Sequence, residues 1–156
     1  FYTSRQRAEA LAASDNIAVI SITDPGTPEA LLGEGFRAVL RMSFFDALPA
    51  DEFLPAPLPG LFDHHMARQI SEFVQALHVV PDALSVMVHC EYGVSRSAAI
   101  ALFVEAYSAA PLAAREFAYE ANQWVIDRLS SLHPDLCIDI PAMEAANERR
   151  ALPRAA

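Results

Sequence analysis

At 156 residues, 53% of them apolar, the chain is the right size for one domain around a single core. Its formal net charge is −9 and all 11 basic residues are arginine, which excludes chemistry that needs a lysine amine, such as a Walker-type phosphate loop or a Schiff base. The acidic balance and scattered arginines argue against nucleic acid and anionic membrane as partners, and two cysteines, Cys90 and Cys137, are too few for a disulfide scaffold.

No apolar run approaches the roughly 18 residues of a membrane span, and no basic segment followed by an apolar stretch opens the chain. The expectation is a soluble, cytoplasmic protein, a monomer or weak oligomer, with Phe1 in place of Met suggesting a trimmed N-terminus. A single domain over 1–156 is expected, with its core at 15–133 and a short helix and tail at 139–156.

In chain order, residues 3–13 are rich in helix formers, and 17–22 (IAVISI) is a β-branched strand ending at the turn Asp24-Pro25-Gly26. A second strand is predicted over 36–45, stopping at Asp46. Pro49, Pro55, Pro57 and Pro59 then make 48–60 a long loop of the kind that forms lids or binding segments. Phe62, Met66, Ile70, Phe73, Val74 and Leu77 follow the three-and-four spacing of an amphipathic helix. The run 84–89 (LSVMVH) reads as a buried central strand, and 97–107 (SAAIALFVEAY) as a helix apolar nearly all round. A further helix is predicted from Pro111 to His133, with Phe117, Ala121, Trp124, Val125 and Leu129 on its buried stripe. A short terminal helix is predicted over 141–151.

Strands alternating with helices predict an α/β fold, a central and mainly parallel sheet flanked by helices, in which ligands bind at the strand-to-helix turns. One such turn reads His89-Cys90-Glu91-Tyr92-Gly93-Val94-Ser95-Arg96-Ser97. Each part has a role if the ligand is a phosphate dianion. Backbone N–H groups of the loop 91–96 curl into an anion nest at a helix N-terminus, and Gly93 allows the curl. Arg96 offers a planar fork for phosphate oxygens. These positive surroundings favour the thiolate of Cys90, the nucleophilic form, and attack on phosphorus gives a cysteinyl-phosphate. Ser97 can donate a hydrogen bond to the sulfur and ease its departure. His89 is expected to orient the loop through hydrogen bonds rather than carry the proton.

The segment HCEYGVSRS resembles the His-Cys-x5-Arg-Ser signature of protein tyrosine phosphatases, especially the compact dual-specificity group. The likeness extends more weakly over 17–132 as an order of strands and helices. It implies a dual-specificity-phosphatase-like fold, a cysteinyl-phosphate mechanism and no metal or other cofactor. It also implies an aspartic acid on an upstream loop that protonates the leaving oxygen and later activates water. Asp46 stands at that position; Asp51 is the reserve, and Asp63 has a structural reason to open a helix. The segment between Asp46 and Phe62 is longer than in compact members of the family.

The remaining polar features read as structural. Cys137 lies outside any motif, Trp124 is a core anchor, and His64-His65 beside Asp63 point about 100 degrees apart on a helix, unlike metal ligands. The expected substrate is a phosphorylated protein or a small phosphate monoester. Phosphatases acting on phosphoinositides often place lysines in this loop; here there are none, and Glu91 opposes a highly charged substrate if it faces the pocket. Two other readings are a catalytically silent phosphoprotein-binding module and a rhodanese-like sulfur carrier, against which His89, Arg96 and Ser97 favour phosphate.

Overall fold

A computed structural model of the chain describes residues 1–47 and 59–151. Four strands, β1 (Tyr2–Ser4), β2 (Ile17–Thr23), β3 (Ala38–Ser43) and β4 (Ser85–Cys90), form one sheet in the order β1-β4-β2-β3, every neighbouring pair parallel. Helices α1 (Arg5–Ala10), α2 (His64–His78), α3 (Arg96–Ser108), α4 (Gln123–Leu132) and α5 (Met143–Ala151) flank it, with a 3-10 segment at Arg115–Glu120. The expected α/β architecture is thus present, and its sheet is parallel throughout. Among the described residues no helix is long and apolar enough to cross a membrane.

The position of each strand follows from its composition. The two central strands, β2 and β4, are apolar on both faces and buried, while the edge strand β3 alternates between exposed and more buried positions. On one face, Ile20, Ile22, Met42 and Val88 pack beneath α2, α3 and α4 with Ile70, Val74, Ile100, Phe103 and Leu129. On the other, Val19 and Met87 meet Ala8 of α1, with Leu32 and Phe36 from the β2–β3 connection. Burial nearly all round the first eight residues of α3 explains its lack of a polar stripe.

Two helical predictions are corrected. The stretch 3–13 divides into strand and helix: Tyr2, Thr3 and Ser4 pair in register with Val88, His89 and Cys90, and Ser4 then caps α1 by accepting from the Arg7 N–H. Packing beside β4 overrides the helix propensity of a segment too short to be helical by itself. The helix expected from Pro111 does not start there, because Ala109 and Ala114 both adopt left-handed backbone and Asn122 is extended. Asn122 instead caps α4, accepting from the Val125 N–H at 3.1 Å. The sheet and its packing therefore begin before residue 15, with β1 and α1, while α5 rests on the 3-10 segment. The strand predicted over 36–45 is shorter, and Phe44 leaves the sheet to stack against Phe62 with ring centroids 4.9 Å apart. Phe45 N–H donates to the Gly60 carbonyl at 2.8 Å, so the chain ends flanking 46–59 are joined. Of the predicted 48–60 loop, residues 48–58 lie outside the described residues, and Asp51 with them.

Candidate active site

All four strands deliver their carboxyl ends to one side of the sheet, and the polar residues gather there. Cys90 is the last residue of β4 and is 3% exposed. Its Sγ lies 3.2 Å from the Ser97 Oγ, with the thiol donating as drawn; a thiolate there would accept from the hydroxyl instead. Asp46, Cys90, Tyr92, Val94, Ser95, Arg96 and Glu120 line one open cleft of about 440 Å³. A cavity of about 480 Å³ opens at the amino ends of the strands, but its lining contains neither cysteine nor arginine.

Arg96 opens α3 and is 3% exposed, unusual for a guanidinium. Its Nη1 donates to the Asp24 Oδ1 at 2.6 Å and to the Phe44 carbonyl at 2.7 Å. Its Nε is buried without a hydrogen-bond partner among the described residues. An unsatisfied buried donor costs about 1–3 kcal/mol, more when charged. Here it belongs to a cation that lines the cleft beside a thiol, where an anionic oxygen would satisfy it. Ser95 stands at the N-cap of α3 but makes no cap bond to that helix; its hydroxyl donates to the Asp46 Oδ1 at 2.7 Å. The first N–H groups of α3 therefore lack the usual side-chain acceptor at the place where helices bind anions.

The loop itself rests on β1. Gly93 has φ +71, the left-handed region, and a Cβ added to it would collide with the backbone of Thr3 and Ser4. Glu91 turns away from the cleft: its carbonyl accepts from the Arg5 N–H at 3.2 Å and its carboxylate lies 3.8 Å from the Arg5 guanidinium. It is absent from the cleft lining, so it does not oppose a charged substrate there. Tyr92, 83% exposed, and Val94 form the outer rim. Gly93→Ala combines a left-handed alanine with overpacking, and urea denaturation should show a loss of about 2–4 kcal/mol.

His89 is fully buried on the opposite face of the sheet from Cys90, in register with Ser21 of β2, and its Nε2 lies 2.7 Å from the Ser21 Oγ. This bond runs sideways and ties the end of β4 to β2. Burial pushes the imidazole down to about 4 from its ordinary 6.5. Between those values the unfolded imidazole takes up a proton that the folded one refuses. Stability from this group is therefore complete above pH 6.5 and is lost as pH falls toward 4, by up to about 3 kcal/mol. Urea midpoints between pH 7 and 4.5 should show this decline, and His89→Asn should flatten it relative to wild type.

Of the remaining predicted residues, Asp46 follows β3, is exposed in the cleft, and accepts at Oδ1 from Ser95 and from the Asn122 Nδ2 at 2.8 Å. Asp63 caps α2 by accepting from the Met66 N–H at 2.8 Å, and His64 and His65 are exposed in the first turn. Trp124 is half-buried, donates to the Phe62 carbonyl at 2.8 Å and carries the Arg128 guanidinium 3.5 Å from its ring centre. Cys137 is exposed, and its hydrogen bond to Asp139 raises its pKa. Three contributors to the site escaped the sequence reading. Asp24 looked like a turn residue, Asn122 like the middle of a helix, and Glu120 like one more surface charge. The local signal for the break is Asn122 itself, a residue type favoured at helix N-caps.

No model of a known protein family matches the chain, and no curated protein matches it either.

Proposed function

We propose that the chain is a phosphate-monoester hydrolase of the protein tyrosine phosphatase type, with a compact dual-specificity-phosphatase-like fold and a cysteinyl-phosphate intermediate. The observation that carries this reading is Arg96. Its guanidinium is buried, lines the same cleft as Cys90, is anchored by Nη1 to Asp24 and Phe44, and keeps a buried Nε with no partner among the described residues, a donor that a bound anion would satisfy.

In the first step the Cys90 Sγ attacks phosphorus and the bond to the ester oxygen breaks. That oxygen takes its electron pair and a proton from the Asp46 carboxyl, giving the free alcohol and cysteinyl-phosphate. Arg96 and the loop N–H groups hold the equatorial oxygens throughout. In the second step Asp46, now ionised, takes a proton from water as the water oxygen attacks phosphorus. The sulfur leaves as thiolate, stabilised by the Ser97 hydroxyl, and inorganic phosphate is released.

The rim supports a monoester carrying one phosphate. Among the described residues Arg96 is the one basic residue lining the cleft, and Glu120 and Asp46 face it. A polyphosphorylated headgroup would meet carboxylates where it needs cations, whereas a phosphotyrosine ring finds Tyr92 and Val94.

Steady-state hydrolysis of an aryl phosphate between about pH 5 and 8, with chelator present, tests the reading. Wild type should turn over, and Asp46→Asn should lose roughly 10²–10⁴-fold in kcat together with the basic limb of the pH profile. Absence of wild-type turnover alongside measurable phosphopeptide binding would replace the enzyme by a silent binding module.

A further inference from the structure

Asn122 is 6% exposed and uses its polar atoms on three different segments. Its Oδ1 accepts from the Val125 N–H and caps α4. Its backbone N–H donates to the Ser95 carbonyl at 3.2 Å, at the end of the phosphate loop. Its Nδ2 donates to the Asp46 Oδ1 at 2.8 Å and lies 3.4 Å from the Ala47 carbonyl, both just after β3. The cap alone would be served as well by serine, threonine or aspartate. The amide places the acceptor for the cap and the donor for the carboxylate on two separate atoms, whereas a serine or threonine hydroxyl would have to serve both from one atom on a shorter arm.

The Ser95 hydroxyl reaches the same carboxylate oxygen at 2.7 Å. Two donors on Oδ1 make that oxygen an acceptor, because a proton placed there would face two others. They also remove the rotational freedom of a side chain that is otherwise exposed at the cleft, since the outer torsion of Asp is broad and roughly two-fold.

We propose that Asn122, with Ser95, is a positioning residue that fixes Asp46 so that the transferable proton resides on Oδ2. The inference rests on reading Asp46 as the general acid. It predicts that chemistry depends on Asn122 in proportion to how much the leaving oxygen needs a proton. A nitrophenolate departs without much help, whereas an unsubstituted phenolate or an alkoxide does not.

The test compares kcat and KM of wild type, Asn122→Ser, Ser95→Ala and Asp46→Asn on nitrophenyl phosphate and phenyl phosphate, with melting temperatures alongside. Asn122→Ser keeps an oxygen for the α4 cap and removes the amide donor. Its kcat should fall about tenfold or more on phenyl phosphate and only about twofold on the nitrophenyl ester, with KM little changed. Ser95→Ala, which leaves Asn122 and the α4 cap in place, should show the same pattern and keeps the test decisive if Asn122→Ser fails to fold. A purely structural role for Asn122 would lower both substrates equally, and that result overturns the proposal. Should Asp46→Asn itself lose the same factor on both esters, the acid is not Asp46 and the proposal falls with that assignment. If Asp46→Asn shows the leaving-group dependence while Asn122→Ser and Ser95→Ala do not, only the positioning role is overturned.

Discussion

Cys90→Ser should lower kcat on any phosphate monoester by roughly 10⁴-fold or more while leaving the fold and phosphate binding in place. The thiol sits at the end of a central strand, 3% exposed, with its sulfur 3.2 Å from Ser97. A hydroxyl fits the same space, so stability should change little. What changes is the nucleophile, because a serine alcohol is a far weaker one than a cysteine sulfur. Arg96, the loop N–H groups and the start of α3 remain, so the variant should still bind phosphate or a phosphopeptide and hold it without turnover. Single-turnover and equilibrium binding measurements on the same preparation separate the two effects. Turnover that survives the substitution would remove Cys90 from the mechanism.

Arg96→Lys should cost a comparable factor, roughly 10³-fold or more in kcat/KM, but for a different reason and with a different signature. The guanidinium works in two directions at once. Nη1 is bound to Asp24 and to the Phe44 carbonyl, while Nε has no partner among the described residues and is the donor left for a bound anion. A lysine ammonium is a single point charge and cannot keep both anchors while presenting a planar pair of donors. If it stays with Asp24 it abandons the ligand; if it moves to the ligand, the buried Phe44 carbonyl loses its partner at about 1–3 kcal/mol. Arg96→Lys should therefore lose phosphate affinity as well as turnover and melt earlier than wild type, whereas Cys90→Ser should do neither. Phosphate binding retained in full by Arg96→Lys would show that the anion sits elsewhere.

That Cys90 and Arg96 share one cleft was legible because it depends on local spacing. Five residues between Cys90 and Arg96 at a strand-to-helix turn bring both to the cleft. The central strands were legible for a related reason, since burial on both faces demands continuous apolar runs such as 17–22. What escaped were features decided by partners distant in sequence. Asp24 becomes an arginine anchor only because Arg96, 72 residues later, comes to its side. Tyr2–Ser4 is a strand only because β4 lies next to it. Asn122 stops a helix that periodicity alone would have continued, since the apolar stripe runs through the break and the capping side chain carries no hydrophobic signal. The bond between His89 and Ser21 of β2 follows from strand register, which depends on the assembled sheet.

Strand order has a consequence for how the protein comes to be folded. β4 is the last strand in sequence, yet it lies between β1 and β2. Until it inserts, β1 has no neighbour and β2 presents an open edge, and Gly93 has no Thr3–Ser4 backbone to rest on. α3 follows directly from β4, so the thiol, the guanidinium and the helix terminus arrive together in a long-range step of high contact order. The cleft is therefore not a local unit that could form early and wait. It comes into being as the sheet closes, and before that Cys90, Arg96 and Gly93 have neither the neighbours nor the backbone support that bring them to one cleft.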